Sequence, residues 1–211
     1  MKVAVIGANG RTGYQTVLKA LDLGHNVTAV MRNPEGIELR HHGLRIRQAD
    51  VTDIGSLKKA LLGQEAVISA IGISTGLNKP ITFYSEGTKN IIEAMKENKI
   101  RRLICISSIG IDKERDPHVP FIFQGVVFPI VFTHAAADMR LMEEAVQESK
   151  LDWTIVRPAG LTNRPPSWKY RAVKAPSLEK CYQISRADLA DFMVKQLDNE
   201  QFFYTVASIA H

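Results

Sequence analysis

Short apolar runs alternate with longer amphipathic segments along this chain of 211 residues. The apolar runs predict buried strands, and the segments with apolar residues three or four positions apart predict helices. The predicted strands cover residues 3–6, 27–31, 45–48, 66–70, 103–106, 153–156 and, as an edge strand, 203–206; the predicted helices cover 12–23, 56–62, 82–97, 137–149 and 187–196. This alternation predicts an α/β fold with a doubly wound, mostly parallel sheet, in a single domain over residues 1–211.

Two segments interrupt the alternation. Residues 109–133 and 162–180 both follow strand ends on the side where such sheets bind ligands, so we predict that they form substrate walls. The stretch 119–132 is strongly apolar and allows several interpretations. It is a buried part of the fold, the wall of a pocket for a flat aromatic acceptor, a dimer contact or a membrane-surface contact.

Composition and charge narrow the class of protein. Hydrophobic residues make up 45% and charged residues 23%, as in ordinary globular proteins. The net charge of +5 is not concentrated in a basic run, which favours an anionic small molecule over nucleic acid as the partner. No apolar run reaches the roughly 18 residues of a membrane span, and no metal-ligand spacing is present. We expect a cytoplasmic protein, monomeric or homodimeric.

A glycine-rich turn carries the strongest functional signal. Residues 7–13 read Gly-Ala-Asn-Gly-Arg-Thr-Gly, between the first strand and the first helix. Gly7 permits a tight turn, Gly10 permits close approach of a pyrophosphate, and Gly13 permits close packing of the helix. With the adjoining Asn9, Arg11 and Thr12 at the helix N-terminus, this turn predicts a dinucleotide site in a Rossmann-like fold. An ordinary strand-to-helix turn is the alternative.

The residues after the second strand indicate which dinucleotide binds. NAD sites place an acidic residue about 20 residues after the turn, at the ribose 2′-hydroxyl. Here residues 31–33 read Met-Arg-Asn, with no acid. Arg32 stands where a 2′-phosphate would bind, although a solvated arginine in a turn is the alternative. The sequence favours NADP(H) over NAD(H).

Further segments resemble the atypical, NmrA-like branch of the short-chain dehydrogenase/reductase superfamily. They are the turn with its Gly-x-x-Gly-x-x-Gly spacing and residues 49–53, 70–72, 85–92 and 151–159. In length and element order the chain is most similar to the biliverdin IXβ reductase/flavin reductase group. The resemblance implies that Asp50 and Val51 hold the adenine, that Ala70, Ile71 and Gly72 lie beneath the cofactor, and that Ser107 and Pro158 flank it.

The resemblance also shows what is missing for catalysis. The superfamily transfers protons with a Tyr-x-x-x-Lys pair, but residues 133–140 contain neither residue. Tyr170 and Lys174 have the spacing in the wrong part of the fold, which we interpret as coincidence. His134 is a possible proton donor or a structural residue. Ser108 matches a serine near the substrate in the biliverdin/flavin reductases, and it is the catalytic candidate; a strand-end capping hydroxyl is its alternative.

Three functions follow as hypotheses. Flavin or bilin reduction suits the missing dyad, because a conjugated acceptor delocalises the incoming charge and hydride transfer depends mainly on positioning. Gly160 replaces a histidine of the biliverdin-type reductases, which favours flavin over bilin. A sensor that binds NADP(H) without turnover is the main alternative, and sugar-nucleotide or isoflavone-type chemistry is disfavoured by the missing pair.

Overall fold

A computed structural model describes residues 1–35, 38–73, 80–109, 111, 133–174 and 178–211. The strands in this part of the chain are β1 (Lys2–Ile6), β2 (Asn26–Met31), β3 (Leu44–Gln48), β4 (Ala66–Ser69), β5 (Arg102–Ile106), β6 (Asp152–Pro158), β7 (Gly160–Thr162), β8 (Arg171–Val173), β9 (Gln183–Ser185) and β10 (Thr205–Ala210). The α-helices there are α1 (Arg11–Asp22), α2 (Ile54–Ala60), α3 (Phe83–Glu97), α4 (Thr133–Gln147) and α5 (Arg186–Lys195).

Eight of these strands form one sheet in the order β3-β2-β1-β4-β5-β6-β10-β8. Every neighbouring pair is parallel except β10 and β8, which are antiparallel. The order 3-2-1-4-5-6 is that of doubly wound dinucleotide-binding sheets, in which the direction of winding reverses beside β1. The predicted α/β, Rossmann-like fold is therefore confirmed.

The sheet is covered by helices on both faces, and β1 shows how its residues are divided between them. Val3 and Val5 share a buried cluster with residues of α1 and α5. Ala4 and Ile6 point to the other face and share a cluster with residues of α2, α3 and α4. Both faces of a parallel strand are buried, which explains why the strands read as continuous apolar runs rather than alternating ones.

A strand is present where 203–206 was predicted, but its bounds and its predicted position at the edge of the sheet were wrong. A short 3-10 helix occupies Glu200–Phe202, and β10 runs from Thr205 to Ala210 between β6 and β8. Its fully buried part contains small residues, Ala207 and Ser208 among them, which give only a weak apolar signal in sequence. The strand is internal because β8 pairs with it on its outer side.

Three short strands were missed by the sequence analysis. β7 and β9 pair in parallel as a second sheet of two strands, and β8 lies within the segment 162–180. Residues 119–132, the apolar stretch with several possible interpretations, lie outside the described part of the chain. The assignment of 109–133 and 162–180 as substrate walls stays a prediction.

Candidate cofactor site

The glycine turn brings three pieces of backbone into close contact. Gly7 has a φ of +79°, and a Cβ on it would lie 2.6 Å from the carbonyl oxygen of Ala70 at the end of β4. A Cβ on Gly13 would lie 2.1 Å from the carbonyl oxygen of Gly7. Only glycine fits either place, so the turn, the end of β4 and the first turn of α1 form a compact backbone unit.

Helix α1 begins without a side-chain cap. Its N-cap is Gly10, which has no side chain that could accept a hydrogen bond from the first turn, and no acidic residue lies in that turn. The first backbone N–H groups of a helix have no partner within the helix and carry a partial positive charge. This end of α1 is therefore ready to bind a phosphate group.

A cleft of about 1220 Å³ opens at the carboxyl ends of the parallel strands. Its volume exceeds the roughly 300–1,000 Å³ of common small-molecule pockets. Thirteen of the residues predicted from the sequence line it: Gly7, Asn9, Gly10, Arg11, Thr12, Arg32, Val51, Ala70, Ile71, Gly72, Ser107, Ser108 and Pro158.

Two predicted residues do not line the cleft. Gly13 acts through its packing against the turn. Asp50 turns its carboxylate towards Thr52, where Oδ1 accepts hydrogen bonds from the backbone N–H at 2.9 Å and from the hydroxyl at 2.8 Å. The backbone hydrogen bond from Thr52, helped by the charge of Arg32, lowers the pKa of Asp50. Asp50 thus shapes the loop after β3 rather than the surface of the cleft.

The cleft carries positive charge. Arg11 and Arg32 are exposed, and the half-buried Arg186 joins them from the start of α5. Among the described residues that line the cleft there is no aspartate or glutamate. A concave surface with arginines and no carboxylates attracts anionic ligands such as nucleotide phosphates.

Two serines follow β5 and differ in their contacts. Ser107 is 4% exposed, and its Oγ has no hydrogen-bond partner among the described residues. A buried hydroxyl without a partner is costly, so a ligand in the cleft is its natural partner. The Ser108 hydroxyl donates to the carbonyl oxygen of Ile109 at 3.2 Å, which is the capping contact considered as its alternative role.

The wall formed by α3 and α4 is apolar and aromatic. Phe83 and Tyr84 contribute from α3, and Ala135, Ala136 and Met139 from α4. Apart from one phenol, these side chains offer area for a flat hydrophobic ring and exclude water.

Tyr84 is that phenol, and two contacts hold it in place. Asp138 of α4 accepts a hydrogen bond from the Tyr84 backbone N–H at 2.7 Å, which anchors the start of α3. The Tyr84 hydroxyl oxygen accepts from the Ile73 N–H at 3.4 Å. Burial raises the pKa of Tyr84, so the phenol stays protonated and able to donate a hydrogen bond or a proton.

The remaining polar candidates lie outside the cleft. His134 is half-buried on α4 but is not among the lining residues. The Tyr170 hydroxyl donates to Asp191 Oδ2 at 2.6 Å, and the Lys174 ammonium lies 5.8 Å from the ring centre of Phe202. The Tyr-x-x-x-Lys spacing at 170–174 therefore belongs to a structural region near the outer strands.

Lining residues from β9 and α5 were not predicted from the sequence. Arg186 lines the cleft, and the exposed ring of Tyr182 lies on its rim. A signal for Arg186 was available, because Ser185 and Asp188 have the spacing of a helix capping box. The Ser185 hydroxyl indeed accepts a hydrogen bond from the Asp188 N–H at 3.0 Å. Because β9 was not predicted, however, no pattern in the sequence indicated that this helix begins beside the cleft.

A family model described as NAD(P)H-binding matches residues 7–200. The chain belongs to this NAD(P)H-binding family. The residues present fit such a ligand, since the glycine turn, the start of α1, Arg32 and the Ser107 hydroxyl, which has no partner among the described residues, all line one cleft. The described part of the chain has no cluster of three or more potential metal-ligating side chains. Nor does any described helix have the length and apolar character needed to cross a bilayer.

Relatives of known sequence extend over nearly the whole chain. An uncharacterised chloroplastic protein of Arabidopsis thaliana is 29% identical over 217 residues, covering 99% of this chain and 76% of that protein. The chloroplastic protein TIC 62 of Pisum sativum is 27% identical over 228 residues. That match covers 96% of this chain but only 41% of TIC 62, so this chain corresponds to a part of a longer relative.

Solved structures confirm the fold. A short-chain dehydrogenase/reductase of Veillonella parvula in complex with NADP superposes with a TM-score of 0.79 at 20% identity, covering 100% of this chain and 94% of that one. ChuY, an anaerobillin reductase of Escherichia coli O157:H7, gives a TM-score of 0.79 at 22% identity, covering 100% and 97%. These superpositions confirm the predicted Rossmann-like fold, and the family model confirms the predicted NAD(P)H-binding family.

Proposed function

We propose that this protein is an NADPH-dependent reductase that transfers hydride to a planar conjugated acceptor, a flavin before a bilin or a quinone. One observation carries the proposal: a single cleft joins an arginine-lined, acid-free nucleotide end to an apolar wall with aromatic rings. The first part suits a dinucleotide, and the second suits a flat acceptor. The fold shared with ChuY, itself an anaerobillin reductase, supports this choice of chemistry.

The preference for NADP(H) over NAD(H) is argued from the end of β2. Arg32 lines the cleft there, beside Met31 and Asn33, and no aspartate or glutamate is among the described residues that line the cleft. A guanidinium makes strong, charge-assisted hydrogen bonds to phosphate. Arg32 is therefore the proposed reader of the 2′-phosphate.

NADPH, when bound, supplies the hydride. The protein's own residues then exclude water and contact the two ligands. The apolar wall excludes water, the Ser107 hydroxyl gains a partner in the ligand, and Ser108 borders the reacting region as the proposed catalytic contact. Tyr84 offers a protonated phenol within the same cleft, which suits acceptors that need a proton after the hydride arrives.

A sensor that binds NADP(H) without turnover is the second candidate. The face of α4 that lines the cleft consists of Ala135, Ala136 and Met139, so that helix offers no acid or base there. An enzyme of the superfamily would carry its tyrosine and lysine on this helix. A protein that only reports the redox state of the nucleotide pool needs neither.

An NADPH-oxidation assay with FMN, FAD, biliverdin and quinones, run beside NADH, separates the two candidates. Turnover of at least one planar acceptor with a preference for NADPH supports the reductase. Tight binding of NADPH with no acceptor reduced supports the sensor. The proposal includes a cytoplasmic location and a monomer or homodimer, which cell fractionation and size-exclusion chromatography test.

A further inference from the structure

Arg11 and Arg186 begin two helices that pack side by side. Arg11 is the first residue of α1 and Arg186 the first residue of α5. The two helices share a buried cluster, and Lys19 of α1 forms an ion pair with Asp191 of α5 at 3.1 Å. Because both helices start at the same edge of the sheet, both arginines line the same cleft.

This arrangement concentrates positive charge. A helix N-terminus is already positive, so an arginine there is unfavourable unless an anion is near. Helix α1 has no acid in its first turn. Helix α5 has Asp188, but that carboxylate accepts hydrogen bonds from the backbone N–H groups of Ser167 and Trp168 and contacts His211 at 2.8 Å.

No described acid neutralises the two guanidinium groups. The Arg186 guanidinium donates a hydrogen bond to a neutral amide oxygen, Asn163 Oδ1, at 2.7 Å, and neither arginine forms an ion pair within the described residues. Burial, and then the positive charge of Arg11, lower the pKa of Arg186. The buried Ser107 hydroxyl has no partner among the described residues and lines the same cleft, so a ligand there can supply its hydrogen bond.

We propose that Arg11 and Arg186 form an anion subsite that binds a phosphate or carboxylate group carried by the acceptor. This inference rests on the proposed reductase function and specifies its substrate class as planar acceptors with an acidic tail. The position favours the acceptor over the nucleotide. Arg186 shares its part of the cleft with Leu161 and Tyr182 of the β7–β9 region, beyond β6, whereas Arg32 marks the nucleotide end at β2.

Tyr182 supports a flat ligand at the Arg186 end of the cleft. Tyr182 is 63% exposed although it lines the cleft, so its ring is accessible to a stacking partner. A ligand of this class would stack its flat ring on Tyr182 and place its acidic tail against Arg11 and Arg186.

FMN and riboflavin test the subsite, because they share one ring system and differ by a phosphate. Their affinities are measured by flavin fluorescence on the full chain saturated with NADP⁺. We expect wild-type protein to bind FMN about 10-fold or more tightly than riboflavin. Arg186→Gln should remove that preference while leaving riboflavin affinity unchanged. Arg45→Gln, which removes an equal charge from an exposed position on β3, should keep it.

Two results would overturn the subsite. The first is an Arg186→Gln variant that keeps the FMN preference; if that variant also binds NADP⁺ more weakly, the arginine belongs to the pyrophosphate site. Absence of any flavin binding would also overturn it. Circular dichroism of each variant confirms folding. If FMN preference depends on Arg186 but no acceptor is reduced by NADPH, the subsite stands and only the reductase function fails.

Discussion

Replacing Gly13 by alanine tests whether the close approach of α1 to the glycine turn shapes the site. Gly13 lies inside a helix, where alanine normally stabilises by about 1 kcal/mol relative to glycine. The new Cβ, however, would lie 2.1 Å from the Gly7 carbonyl oxygen, 1.3 Å short of the 3.4 Å at which ordinary contact begins. The obstructing atom belongs to backbone and has no rotamer that avoids the clash.

The clash should outweigh the helical preference. Overpacking costs about 1–3 kcal/mol when side chains can adjust, and here backbone must move. We expect Gly13→Ala to lower the unfolding free energy by about 1–2 kcal/mol net, which lowers Tm by about 2–8 °C in a chain of this size. Displacement of the turn should also weaken NADPH binding by about 10-fold or more, since a misplaced phosphate site loses its charge-assisted bonds.

Thermal unfolding and NADPH titration measure the two effects. Gly55→Ala is the matched control, because Gly55 also lies in a helix and its Cβ would meet only the side-chain oxygen of Asp53, at 3.3 Å. The control should change stability by less than about 1 kcal/mol and leave NADPH affinity unchanged. A Gly13→Ala variant with a raised unfolding free energy and normal NADPH affinity would contradict the argument from close packing.

Three further changes have defined outcomes. Arg32→Ala should weaken NADPH about 10-fold or more and leave NADH unchanged in titrations; equal losses for both nucleotides would remove its assignment to the 2′-phosphate. Tyr84→Phe should slow quinone reduction about 100-fold and FMN reduction far less. The pKa of Tyr84 is raised in the folded protein. Its contribution to the unfolding free energy is therefore complete below the unfolded pKa of about 10 and is lost as pH rises through the folded pKa. In urea unfolding, Tyr84→Phe should lack this decrease of the unfolding free energy at alkaline pH. For Asp188, burial raises the pKa, but hydrogen bonds from Ser185, the Ser167 N–H and other donors outweigh it and lower the pKa. Its contribution is therefore present above the unfolded pKa of about 4 and lost as pH falls through the folded pKa. Asp188→Asn should destabilise by about 1–3 kcal/mol at neutral pH, and the gap to wild type should narrow in acid; a gap independent of pH would contradict the linkage.

The parts of the site that could be predicted from the sequence are those coded locally. The turn at 7–13 combines a strand, three glycines and a helix start within a few residues, and Arg32 follows directly at the end of the next strand. Each strand buried on both faces leaves an apolar run, so the strand ends, where the ligand binds, were recognisable too.

The parts that were missed depend on contacts between distant segments. Tyr84 lines the cleft because Asp138, 54 positions later, anchors the start of its helix. Arg186 lines it because α5 packs against α1. The internal position of β10 depends on β8, a strand of three residues that is too short to show an alternating pattern in the sequence. No local pattern in the sequence records these partners.

The central claim is hydride transfer from NADPH to a planar acceptor in this cleft, and an anaerobic single-turnover experiment tests it most directly. NADPH-loaded protein is mixed with FMN, and the absorbances of NADPH and of oxidised flavin are followed together, with Gly13→Ala as the impaired control. We expect the two absorbances to fall together, one molecule for one, and more slowly in the control. Persistent NADPH absorbance in a protein that demonstrably binds both ligands would contradict the claim and identify the protein as a sensor of the nucleotide.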